Sequence, residues 1–247
     1  MDFAWLVARP IAHRGLHDKV KGVIENSLSA ARAARARGFS IECDVQLSCD
    51  GEAMVFHDST LQRLVGVAGA VAERSAAALH ALRLSGSDDP IPTLAELLAV
   101  IGGAVPLVCE IKGEFDDDFR LADRVAEIAA RYDGPLAFKS FDPAPIAHLR
   151  AKSLARPLGI VAEASYDDPY FAAMSGEQKR ACAAFLHIDA TRPDFLSWSV
   201  KDLPHPTPTL VRALGRKPVM TWTVRTEAQK RLAKAYGDQI VFEGEPE

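Results

Sequence analysis

The 247-residue chain contains no apolar run of 18 residues, so no membrane-crossing helix is expected. Its N-terminal stretch, MDFAWLVARPIAHRG, has no basic start followed by a long apolar segment. No signal peptide is therefore expected, and the cytoplasm is the default location. Cysteine is scarce: Cys43, Cys49, Cys109 and Cys182 are the whole set, and none forms a C-x-x-C pair. A zinc site built on thiolates is disfavoured, and Cys43 and Cys109 read as small buried hydrophobes in a reducing compartment. Positive charge is not in excess. Lys and Arg number 29 against 33 Asp and Glu, a formal net charge of −4. That argues against a partner such as nucleic acid, whose backbone selects strongly basic surfaces, but leaves room for a local basic pocket. Internal repeats and low-complexity segments are also missing.

What is present is an ordinary globular composition, 48% hydrophobic and 25% charged, in a chain of the length a single (β/α)₈ barrel uses. Eight short β-rich runs alternate with helical patterns: Pro10–His13, Ser40–Val45, Pro106–Ile111, Leu136–Lys139, Pro157–Val161, Phe195–Ser199, Pro218–Thr223 and Gln239–Phe242. Eight strand–helix units predict an α/β TIM barrel forming one domain over residues 1–247. Helix starts are marked by Asn26 or Ser27, by the capping boxes Thr93–Glu96 and Thr226–Gln229, by a similar pattern at Ser175–Gln178, and by Asp142-Pro143. Two irregularities are expected. Residues 54–89 are too many for a simple loop and predict a small insertion after the second strand, with a strand at Ala53–His57 and a helix near Ala72–Leu82. The few residues after Phe242 leave no room for an eighth outer helix.

The sharpest chemical signal is Glu42-Cys43-Asp44. Residues i and i+2 of a strand share a face, so Glu42 and Asp44 point together and Cys43 points away. The third strand repeats this with Glu110 and Lys112. Carboxylates gathered inside a barrel repel one another unless a cation joins them. Three carboxylates without thiolates suit a hard divalent ion, Mg²⁺ or Ca²⁺, better than zinc. On its own, Glu-x-Asp is as readily a salt-bridged rim pair; the second strand shifts the balance. His13, at the end of the first strand, and His57, before Asp58, can serve as acid and base near neutral pH. Arg14 offers a fork for phosphoryl oxygens and Gly15 permits a sharp turn. His17, His80, His148, His187 and His205 read as structural.

Taken in order, His13-Arg14-Gly15, Glu25-Asn26-Ser27, Glu42-x-Asp44, Val55-Phe56-His57-Asp58, Glu110-x-Lys112, Ser140-Phe141 and Trp222-Thr223-Val224 resemble the glycerophosphodiester phosphodiesterases. The resemblance implies a TIM barrel that releases an alcohol and sn-glycerol 3-phosphate from a small-molecule phosphodiester. It implies one divalent cation on Glu42, Asp44 and Glu110, an acid/base pair of His13 and His57, phosphate contacts from Arg14 and Lys112, and Trp222 walling the alcohol side. Glu25 is assigned a supporting role in the first loop, toward Arg14 or His13, with direct substrate binding as the alternative. The sequence departs from the family pattern at Arg225, where asparagine is common, and in its ending, Gly237 to Pro246. Lysophospholipids or sugar phosphodiesters are the alternative substrates, and a non-catalytic phosphate-binding barrel is the alternative class. Nothing in the sequence fixes an oligomeric state.

Overall fold

The computed structural model describes residues 4–244; Glu245 and Pro246 of the divergent ending, and the first three residues, lie outside the described residues. Nine strands are formed: β1 (Ile11–Ala12), β2 (Ser40–Leu47), β3 (Ala53–Val55), β4 (Leu107–Ile111), β5 (Leu136–Ser140), β6 (Leu158–Ala162), β7 (Phe195–Ser199), β8 (Val219–Val224) and β9 (Gln239–Phe242). All but β3 pair in parallel, in the order β1-β2-β4-β5-β6-β7-β8-β9, and β9 pairs back onto β1. The eight-strand barrel is therefore closed, and β3 is an extra strand antiparallel to β2. The helices are α1 (Leu28–Ala36), α2 (Gln62–Val65), α3 (Ala76–His80), α4 (Leu94–Ile101), α5 (Arg120–Ala129), α6 (Pro143–Ala151), α7 (Gly176–Ala183), α8 (Ile188–Thr191), α9 (Pro206–Ala213) and α10 (Glu227–Tyr236).

The helix starts follow the sequence signals. Ser27, not Asn26, caps α1 by accepting from the Ala30 amide. Thr93, Ser175 and Thr226 each form a reciprocal capping box, and Asp142 caps α6 ahead of Pro143. Between β3 and α4 the helix is shorter than the sequence suggests and a second one, α2, accompanies it. This insertion packs on a cluster of its own that includes Met54, Phe56, Leu61, Leu79 and Ile91. No helix follows β9 among the described residues. The outward face there is met by Phe39, whose ring lies edge-on to Phe242 at 5.2 Å.

Strand alternation divides the apolar side chains into two sets. Outward residues such as Ile41, Cys43, Cys109, Phe138, Leu158 and Leu196 join the helices in the main core. Inward residues Ile11, Val108, Ala137, Phe195, Met220 and Val241 fill the lower bore, and Leu6 of the N-terminal segment packs against them. Gln239 fastens that segment to the barrel, donating to the carbonyls of Leu6 (3.2 Å) and Arg9 (2.7 Å). The filled floor forces a ligand to enter from the other end, at the carboxyl ends of the strands.

Room for Phe195 depends on its register partner Gly159. A Cβ there would meet the Phe195 ring at 2.4 Å. Gly159→Ala is expected to lower stability by roughly 1–3 kcal/mol, the usual range for overpacking. Urea unfolding would show a lower midpoint with an unchanged slope, and Phe195→Leu in the same chain would recover part of it. An unchanged midpoint would mean that the ring can move aside freely.

Candidate active site

β2 and β4 lie side by side with Asp44 opposite Glu110 and Cys43 opposite Cys109. Alternation sends the cysteines out and Glu42, Asp44 and Glu110 in. One oxygen from each of the three lies within 4.8 Å of the others, and the residues are 0%, 1% and 5% exposed. Such a triad is intolerable in a dry interior unless positive groups stand among the carboxylates.

Two lysines do so. Lys112 Nζ lies 2.8 Å from Asp44 Oδ1 and 2.6 Å from Glu110 Oε1. Lys139 Nζ lies 3.0 Å from Glu42 Oε1 and 3.2 Å from Glu110 Oε2. The remaining oxygens are met by dipoles. The Arg14 amide donates to Glu42 Oε2 at 3.0 Å, and Asn26 Nδ2 donates to Asp44 Oδ2 at 2.9 Å. Burial pushes the Asp44 carboxyl up, but Lys112, His57, Arg14 and His13 outweigh it and hold it well below the usual range. Burial likewise opposes the ammonium forms, yet Asp44 and Glu110 raise Lys112, and Glu42 and Glu110 raise Lys139. Both lysines remain cations. Glu42 Oε1 faces the Lys139 ammonium outside hydrogen-bond geometry and accepts no hydrogen bond among the described residues.

The first loop is shaped to bring its backbone to this triad. Arg14, Gly15 and Asn26 all adopt left-handed φ, at 57°, 79° and 58°. Gly15 is required twice over, because a Cβ would also meet Ala30 Cβ at 2.8 Å. Asn26 clamps Asp44 reciprocally: besides donating to its carboxylate, it accepts from the Asp44 amide at 3.2 Å. It is thus a support of the triad rather than a helix cap.

The two histidines stand on opposite sides and each is held by a carboxylate at Nδ1. His13 Nδ1 lies 2.5 Å from Glu243 Oε1, and its Nε2 is 3.8 Å from Glu42 Oε2. Glu243 is in turn held by Arg225 Nε at 2.7 Å. Two residues at which the sequence departs from the family pattern, Arg225 and Glu243, are therefore paired with each other, and Glu243 grips His13. His57 Nδ1 lies 2.8 Å from Asp58 Oδ1. Asp58 accepts from Arg63, Arg63 donates to Glu25, and Glu25 accepts from Arg14 at 2.6 Å. Burial raises the Glu25 carboxyl, but hydrogen bonds from Arg63 and the charge of Arg14 pull it down to about 2. Glu25 therefore hydrogen-bonds Arg14 and Arg63, and no hydrogen bond joins it to His13 among the described residues.

These groups open onto a cleft of ≈ 290 Å³. His13, Arg14, Asp44, His57, Glu110, Lys112 and Trp222 line it, while Glu42 lies beneath and Glu25 stands behind Arg14. The opposite wall is aromatic, with the Phe141 ring edge-on to Trp222 at 5.4 Å and to Phe171 at 5.3 Å. Among the other histidines, His148 pairs with Asp123, and His205 caps α9. Lys139, Glu243 and Arg63 are the site residues that sequence reasoning misses. Lys139 and Glu243 obey the same i, i+2 rule that singles out Glu42 and Asp44, since Lys139 follows Ala137 and Glu243 follows Val241 on the inward face. Arg63 carries no local signal.

The chain has known relatives. The chain aligns at 32% identity over 117 residues with mouse glycerophosphodiester phosphodiesterase 1, and at 35% over 99 residues with the human protein. These alignments cover 43% and 36% of this chain but only 34% and 29% of those proteins, about a third of their length. Among solved structures, an Oleispira antarctica phosphodiesterase in complex with the product sn-glycerol-3-phosphate superposes with a TM-score of 0.77 at 24% identity, covering 96% of this chain and 93% of that one. The Thermotoga maritima glycerophosphodiester phosphodiesterase gives 0.70 at 24% identity, covering 94% and 92%. At such identities these structures speak for the fold. The match to the Glycerophosphoryl diester phosphodiesterase family, however, runs from residue 13 to residue 246, and the chain belongs to that family.

Proposed function

We propose that this chain hydrolyses glycerophosphodiesters to an alcohol and sn-glycerol 3-phosphate with the help of one divalent cation, Mg²⁺ or Ca²⁺. The observation that carries the reading is the meeting of three buried carboxylates, two carboxylate-held histidines and the cationic Arg14 and Lys112 at and just beneath one cleft. Glu42, Asp44 and Glu110 would hold the cation. The donor set fits a hard ion: it is all oxygen and buried, and Glu42 Oε1, though it faces Lys139, accepts no hydrogen bond among the described residues. A bound cation of this kind supplies Lewis acidity toward a phosphoryl oxygen.

The chain's own groups supply the rest. A carboxylate on Nδ1 favours the Nδ1–H tautomer, so proton transfer falls to Nε2 of each imidazole. One histidine takes the proton of the attacking hydroxyl and the other gives a proton to the departing alkoxide. Water can serve as nucleophile directly, or the substrate's own 2-hydroxyl can expel the alcohol to leave a cyclic phosphate that water then opens to glycerol 3-phosphate. Arg14 and Lys112 present positive charge to the phosphoryl oxygens, where charge grows in the transition state. Trp222 and Phe141 wall the alcohol side. Asp168, Lys201 and Arg225 at the mouth favour a small soluble diester over a lysolipid. No helix among the described residues is long and apolar enough to cross a membrane. A cytoplasmic setting is supported by four free cysteines. One domain, carrying the insertion at residues 54–89, accounts for the closed barrel.

The primary test is release of glycerol 3-phosphate from glycerophosphocholine and glycerophosphoethanolamine, with Mg²⁺, with Ca²⁺ and with EDTA. Release should require metal, and Glu42→Ala should reduce it by more than roughly 100-fold, beyond what loss of an outer partner of a metal ligand costs. Metal binding without release from either diester would move the substrate toward lysolipids or sugar diesters. Neither release nor metal binding would leave the non-catalytic barrel. Glu25→Gln should lower kcat by roughly tenfold, as loss of a supporting hydrogen bond does. Metal affinity should be unchanged by calorimetry; loss of the metal would contradict a role through Arg14.

Glu163 on the cleft wall gives a pH test. Burial, then Asp202 and Asp168, push its carboxyl up from 4.5 to about 7, against Lys201. The folded state therefore binds this proton more tightly than the unfolded state. Its stability is intact below pH 4.5 and declines as pH rises through about 7. Glu163→Gln should leave Tm unchanged near pH 4.5 and raise it above pH 7 by roughly 1–3 °C, allowing for solvent screening. A pH-independent difference in Tm would show that the glutamate is not strained.

A further inference from the structure

The carboxylate triad already contains cations of its own. Four of its six oxygens face an ammonium, two facing Lys112 and two facing Lys139. Both lysines line the cleft, at different depths. Lys112 lies beside the Tyr170 ring, its Nζ 5.6 Å from the ring centre. Lys139 projects from β5 and is 2% exposed, with its charge set between Glu42 and Glu110. Glu110 is thereby gripped on both oxygens, by Lys112 at Oε1 and by Lys139 at Oε2.

We propose that Lys139 is a resident counter-cation of the triad, a positioning residue whose fixed charge holds Glu42 and Glu110 together and restrains the site's affinity for a divalent ion. This rests on the reading of the triad as a divalent-cation site. Lys112 and Lys139 offset two of the three negative charges, and Arg14, shared with Glu25, lies 3.5 Å from Asp44, so a divalent ion enters a largely balanced site rather than an acidic one. It must also approach Glu42 and Glu110 against an ammonium about 3 Å from their oxygens. At that range in a poorly screened interior, repulsion is large. Without Lys139, Glu42 loses its ammonium and Glu110 keeps only Lys112, and the metal-free site becomes both less stable and more avid. A lysine with a purely structural role would behave otherwise: its loss would loosen the carboxylates and weaken metal binding.

The experiment compares wild type with Lys139→Gln and Lys139→Met, stripped with EDTA and dialysed. Mg²⁺, and separately Ca²⁺, is titrated by calorimetry, and Tm is recorded with and without the ion. Both variants are expected to bind the ion tighter, on the order of tenfold or more. Their metal-free Tm should fall, and saturating metal should raise Tm by more than it raises that of wild type. If a variant folds only with metal present, that dependence is the same result read through stability. Affinity equal to or weaker than wild type overturns the proposal, as does a chain that stays unfolded at saturating Mg²⁺. Wild type that binds neither ion would sink the metal-site reading itself, whereas wild-type binding without a gain in the variants sinks only this inference.

Discussion

Three carboxylates share the dry upper bore of this barrel, and their mutual repulsion is the constraint that the surrounding structure answers. Glu42, Asp44 and Glu110 cannot separate, because strand register fixes their backbones. Neutralisation therefore has to come from neighbouring strands and loops. Lys112 follows Glu110 on the same face, and Lys139 stands opposite Glu110 in the register of β5. The first loop contributes an arginine amide and an asparagine side chain, and it takes up left-handed conformations to deliver them. The lower bore faces no such problem and is filled with hydrocarbon. A boundary between dry packing and ion lattice thus crosses the barrel partway up, and the cleft opens on the charged side.

A second set of charges ties separate segments together. From Arg14 through Glu25, Arg63 and Asp58 to His57, alternating charges run from the first loop into the insertion. His57 lies beyond β3, outside the closed barrel, so its position depends on how the insertion docks. The bidentate contacts of Arg63 with Glu25 give that docking a defined geometry. His13 is held instead from the far end of the chain, by Glu243 and Arg225. The two imidazoles are thus held at Nδ1 by carboxylates from different parts of the chain.

Much of this was legible in the amino-acid sequence, for identifiable reasons. Strand positions followed from short β-rich runs, and helix starts from capping patterns, because both are encoded within a few residues. Glu42 and Asp44 were legible because strand alternation is a local rule. Lys139 and Glu243 obey that rule equally, but a single charged residue on an inward face looks like any strand-end charge until its partners are seen. Asn26 reads as a helix cap since asparagine favours that position, and only the adjoining strand shows that its amide is engaged by Asp44. Arg63 belongs to a short helix with no side-chain cap, and its partners lie 5 and 38 residues away. Arg225 and Glu243 stand out in the sequence only as departures from a pattern; their compensation for each other is a matter of three-dimensional contact.

The pairing of β1 with β9 bears on the order of assembly. His13 and Glu243 are separated by 230 residues, as are Arg9 and the Gln239 that fastens it. Contacts so distant in sequence close late and slowly. During synthesis the carboxylates of β2 and β4 can come together while β9 is still unmade, yet His13 has no carboxylate to orient it. The last strand to emerge therefore completes the ring and aligns the first strand's imidazole in a single event. A partly folded chain would have the acidic triad without an aligned histidine, so turnover would report on whether the ring has shut.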